Sequence, residues 1–144
     1  MSTLATLALK RALSAKLHPS VPVPGVGDVP LRFDAKRFDR GDDTYCRVGP
    51  CIEDRTVTGS SVLAQIDVFT RDADGAEAYR TGAVITEILT EGGLADHSGF
   101  AFPFLRAGQS LDLTEEGPDG EDVLHLILQF DVRCQDLNRA PGRF

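Results

Sequence analysis

Positive charge is scarce in this sequence. Its 144 residues carry 15 Lys and Arg against 22 Asp and Glu, a formal net charge of −7 and a pI near 4.8. Binding phosphate by bulk charge requires concentrated Lys and Arg, so that kind of nucleic-acid binder is excluded. Attraction to an anionic membrane is disfavoured for the same reason. Cysteine is scarce as well: Cys46, Cys51 and Cys134 are odd in number and form no CxxC pair. Their spacing fits no zinc or haem signature and makes no secreted disulfide framework. The expectation is three small, partly buried thiols in a reducing compartment. No stretch approaches the ~18 consecutive apolar residues of a membrane span. Lys10 and Arg11 follow the first apolar run instead of preceding it, the reverse of a secretory signal. Synthesis in the cytoplasm and no membrane partner are expected.

Recognisable chemistry is equally sparse. Gly25-Val26-Gly27 lacks a third glycine and the strand–helix context of a phosphate loop. Gly59-Ser60-Ser61 reads as a turn into a strand, not a nucleophile elbow. His18, His97 and His125 have no second metal-type residue at helical spacing. His125 reads as a surface or interface side chain. Asp96-His97-Ser98 offers triad residue types, but sequence neighbours rarely reach triad geometry. Glu115, Glu116, Asp119, Glu121 and Asp122 read as a solvated tip and miss the EF-hand spacing. No catalytic residue, metal ligand or cofactor site is assigned.

What remains is a pattern of elements. With 42% apolar residues, residues 1–144 suffice for a single packed domain. Leu9, Leu13 and Leu17, extended by Leu4, Leu7 and Ala8, predict a helix over 3–17, capped by Ser2 or Thr3. Residues 19–30 hold four prolines and two glycines and predict an irregular loop with polyproline character. The charged segment 31–43 follows, ending in the turn Gly41-Asp42-Asp43. Tyr45–Val48 predicts a short strand that Gly49-Pro50 interrupts or ends, and Glu53–Ser60 a turn. Alternation of Val62, Ala64, Ile66 and Val68 predicts a strand over 61–70.

Asp74 and Glu77 resemble a capping box for a helix over 75–91, with a stripe of Tyr79, Ala83, Val84, Ile85, Ile88 and Leu89. Gly92-Gly93 stops it. Phe100, Phe102, Phe104, Leu111 and Leu113, broken by Pro103 and Gly108, predict an interrupted or edge strand over 99–113. After the reversal at 115–120, residues 122–134 form the last strand. There Leu124, Leu126, Leu128, Phe130 and Val132 oppose His125, Ile127, Gln129, Asp131 and Arg133. Residues 135–144 read as a polar tail. The fold class is α+β: a two-layer sandwich, with a mostly antiparallel sheet of about four strands and two helices on one face.

The other face is awkward as free surface, because it mixes Arg47, Asp67, Asp131 and Arg133 with Leu63, Phe69 and Ile127. Either segment 19–43 covers it or it is a subunit interface. Arg32, Arg37 and Arg40 in the charged segment, and Glu115 and Glu116 at the tip, join it as candidate contacts. The run Phe100, Phe102 and Phe104 reads as core, with a ligand pocket or hydrolase cleft as the alternative.

The element order resembles the tail terminator family of tailed phages, the minor tail protein U-like group of siphophages and gene transfer agents. The likeness runs through the helix Leu4–Leu13, Tyr45–Pro50, the strand Val62–Arg71 with its Val68-Phe69-Thr70-Arg71 end, Gly75–Tyr79 in the next helix, and Val123–Arg133. It implies a structural virion protein at the tail–neck junction and not an enzyme. It implies a ring of copies of this chain, typically a hexamer, that ends growth of the tail tube. The implied partners are the tail tube protein and a head-completion or neck protein, with DNA passing through unbound. Another neck or tail-completion protein is the neighbouring alternative.

Overall fold

A computed structural model describes residues 4–33, 43–54, 60–72, 75–117 and 119–138. The elements run α1 (Leu4–Leu17), β1 (Ser20–Val23), β2 (Gly27–Pro30), β3 (Thr44–Asp54), β4 (Ser60–Thr70), α2 (Ala76–Gly92), β5 (Phe100–Glu116) and β6 (Asp122–Asp136). The main sheet is antiparallel in the order β3-β4-β6-β5, with β1-β2 a separate hairpin. This is the expected α+β class, with both helices on one face.

That face is the core. Alternation puts Val62, Ala64, Ile66 and Val68 of β4 beside Leu126, Leu128, Phe130 and Val132 of β6, all buried. Leu9, Leu13 and Leu17 of α1 and Ile85 and Leu89 of α2 cover them. Gly82 lets α2 approach closely: a Cβ there would lie 2.8 Å from Leu126 and 3.4 Å from Leu128.

Four details depart from the sequence reading. Residues 20–30 form a hairpin, not a loop. Val21, Val23 and Val29 alternate into the core, while Pro22 sits exposed where its missing N–H costs nothing. Gly25, at φ 81°, turns the chain. Second, β3 does not stop at Gly49-Pro50 but shifts register between Val48 and Cys51 and continues to Asp54. Third, α2 buries Ala78, Thr81, Gly82, Ile85 and Leu89 and leaves Tyr79 and Ala83 exposed. Val84 and Ile88 instead turn toward Pro22 and Pro24 of the unforeseen hairpin. Fourth, Leu4 and Leu7 of α1 are exposed.

At its start α2 has Gly75 at the cap, and the Asp72 carboxylate accepts from the Glu77 N–H at 3.2 Å. The expected caps Ser2, Thr3 and Asp74 lie outside the described residues, as do residues 41–42, 55–59 and 139–144.

Candidate assembly face

Antiparallel partners point to the same side of a sheet, so the register fixes the far face row by row. Tyr45, Phe69, His125 and Leu113 form one row across β3, β4, β6 and β5. Arg47, Asp67, Ile127 and Leu111 form the next. Farther along come Ile52, Leu63, Asp131 and Arg106, then Arg133 beside Phe104.

One end of this face is closed. Tyr45 and Phe69 stack at 5.0 Å between ring centroids, Phe69 and His125 at 4.2 Å, and all three are buried. The Arg32 guanidinium lies 4.9 Å over the Tyr45 ring and Arg47 lies 5.1 Å over Phe69. Asp67, fully buried, accepts from Arg47 Nε at 2.9 Å, from Gln65 Nε2 at 2.7 Å and from His125 Nε2 at 2.8 Å. The other His125 nitrogen, Nδ1, lies 2.6 Å from Glu115. Burial pushes the Asp67 carboxyl up, but hydrogen bonds from His125, Gln65 and Arg47 outweigh it and hold the group below its ordinary value. Gly49 makes room for this cluster: a Cβ there would sit 2.7 Å from Asp67 Oδ2.

The other end is open and apolar. Ile52 there is 63% and Phe104 50% exposed, with Leu63 half-buried between the edges, and the β5 margin of the closed rows is exposed too, Leu111 at 52% and Leu113 at 50% beside half-buried Ile127. One charge pair lies on it, Arg106 with Asp131 at 3.1 Å.

Of the expected contact residues, Arg32, Arg47, Leu63, Asp67, Phe69, Glu115, Ile127, Asp131 and Arg133 therefore gather on this face or at its rim. Asp67 and Phe69 hold it from within, since neither is exposed. Glu116 lies across from Asp122 on the helix side of the sheet, away from the others. Arg37 and Arg40 lie outside the described residues. Sequence reasoning missed Ile52, Leu111, Leu113 and Phe104 as face residues, although the hairpin reversal could have set Leu113 opposite His125. It also read His125 as a surface or interface side chain, whereas the ring is buried.

The arrangement offers little to a reaction. The His125 ring is buried between Asp67 and Glu115, and no nucleophilic side chain hydrogen-bonds to it among the described residues. A groove of about 470 Å³ between α2 and β5 is lined by Tyr79, Gly82, Ala83, Thr86, Ala107 and Gly108, among others, and Tyr79 is its one ionisable side chain. Phe100 and Phe102 are core and Phe104 is on the far face, so the three do not line one cavity. His97 meets Ser98 at 2.8 Å, a contact between neighbours in a turn. Burial pushes the Cys46 and Cys134 thiols up to about 12, which leaves them protonated. Among the described residues no group of three or more His, Cys, Asp or Glu could hold a metal ion.

No family model and no curated protein sequence matches the chain. Among solved structures, it is similar to a chain of the "virion of native gene transfer agent (GTA) particle". The TM-score is 0.70 at 21% identity, over 92% of this chain and 98% of that one. The two share a fold along nearly their whole lengths.

Proposed function

We propose that this chain is a structural virion protein of the tail terminator type. Copies of it form a ring, a hexamer in the family it resembles, on the end of a tail tube. The ring ends polymerisation and offers a surface to a head-completion or neck protein. The observation that carries this reading is the end-to-end correspondence with one chain of a gene transfer agent virion.

The far face supplies a physical route to the ring. A head-to-tail contact closes into a ring only if its rotation closes. The exposed apolar groups of the open end, Ile52 and Phe104, with Arg106 paired to Asp131, are suited to burial against a neighbouring copy. Net charge of −7 suits a channel through which DNA slides without binding.

The test is to incubate the protein with purified, growing tail tubes and image them. Capped tubes of fixed length support the reading, and unaffected elongation removes it. A basic channel in the assembled ring would overturn the electrostatic part alone.

A further inference from the structure

The two edges of the main sheet are finished differently. Along β3, Leu31 bridges to Cys46, the Arg32 N–H donates to the Cys46 carbonyl at 2.8 Å, and Pro50 sits in a register shift. These are devices that stop a sheet from recruiting another strand. The first half of β5 has similar protection: Pro103, Arg106 and two register shifts. From Ser110 to Thr114 the pairing with β6 is unbroken and there is no proline; the single charge, Asp112, faces the helix side and is engaged by Tyr79. All five residues are exposed, and among the described residues no backbone hydrogen bond reaches their outer side.

This short edge is held in place. The Tyr79 hydroxyl of α2 donates to Asp112, and Glu115 lies 2.6 Å from His125. A stiff row of unpaired backbone groups loses little entropy when a strand adds to it. The surroundings carry one sign of charge: residues 109–122 contain six Asp and Glu and no Lys or Arg.

We infer that the Ser110–Thr114 edge receives an extended basic segment of another protein as a fifth strand. Main-chain hydrogen bonds supply affinity, and alternate side chains supply choice. Apolar groups of the incoming strand lie beside Leu111 and Leu113 on the far face. Its Lys or Arg residues lie on the helix side, beside Asp112 and Glu116, because opposite charges across neighbouring strands attract. The inference stands apart from the ring: a lone subunit has the same edge.

Hydrogen exchange on the full chain tests it, with a synthetic peptide alternating valine and lysine as probe. The peptide is expected to slow exchange at 110–114 about tenfold, and added salt to reverse the effect. A valine–glutamate peptide should give no protection. In the variant Ser110→Lys with Thr114→Lys, which places on this stretch the kind of charge that guards the first half of β5, the protection by the lysine peptide should be lost. No protection by either peptide overturns the inference, as does equal protection by both. Protection that grows with protein concentration in the absence of peptide also overturns it, because a second copy then fills the edge.

Discussion

On the helix side of the sheet, Ile66, Val68, Leu126, Leu128 and Phe130 present only apolar groups to α1 and α2. On the far side the same two strands present Asp67, Phe69, His125, Ile127 and Asp131. The first set is non-directional: any close-packed filling of similar volume serves. The second is directional, because Asp67 accepts from three donors at once, His125 among them. A face organised in this way keeps its shape while half of it remains uncovered. That is what a docking surface requires and a core does not.

The largest effect should separate the two sides of one strand. Phe130 is buried and Ile127, three residues earlier on the other side, is half-buried. Phe130→Ala is expected to cost about 3–5 kcal/mol of unfolding free energy in urea, and Ile127→Ala well under half of that. Equal losses would make the far face a second core and end the contrast.

Next in size is Asp67→Leu, which removes the acceptor shared by Arg47, Gln65 and His125. A loss of about 3 kcal/mol is expected, because the part-buried Arg47 and Gln65 donors and the buried His125 donor lose their shared acceptor. Replacing His125 as well, in Asp67→Leu with His125→Leu, should recover part of it. A double variant no better than the single would show that the ring stack, not the ion pairing, carries this end of the face.

A smaller effect is expected from acid. The folded Asp67 carboxyl sits below its ordinary value, so its stabilising contribution is complete above the unfolded carboxylate range. It is lost as pH falls through the folded value. Urea midpoints should therefore drop more steeply between about pH 5 and about pH 3 for the native chain than for Asp67→Leu. Parallel slopes would mean that other carboxylates account for the acid loss.

How much of this was legible in the sequence depends on the range of the interactions involved. Period-two alternation in 62–68 and 124–132 is local, and it predicted the core face. The hairpin 20–30 was hidden because its prolines argue against a strand, while its signal, Val21 and Val23 facing Val29, becomes meaningful only once α2 is there to cover it. The stripe on α2 shifted for the same reason: Val84 and Ile88 pack against that hairpin. The mixed face could be seen as mixed from Arg47, Asp67 and Asp131. That His125 is buried between Asp67 and Glu115 could not be seen, because those residues stand 58 and 10 positions from it and meet only through strand register. The apolar half was missed where bulges at Ala101/Phe104 and Ala107/Ser110 shift the alternation of β5.

The smallest effect on folding should accompany the largest on assembly. Ile52 projects from β3 on the open end of the far face, at the opposite edge from Ser110–Thr114, so a change there leaves the strand-accepting edge intact. Ile52→Ser is expected to move the unfolding free energy by no more than about 0.5 kcal/mol, since a side chain 63% exposed has little burial to lose. If neighbouring copies cover this face, the same substitution places a hydroxyl in the contact and removes apolar area from every interface of the ring. Sedimentation of the native chain and the variant at matched concentration checks this. A ring lost by a variant as stable as the native chain assigns the open end to assembly. A ring kept intact means that Ile52 lies outside the contact, and an isolated exposed isoleucine then needs no explanation.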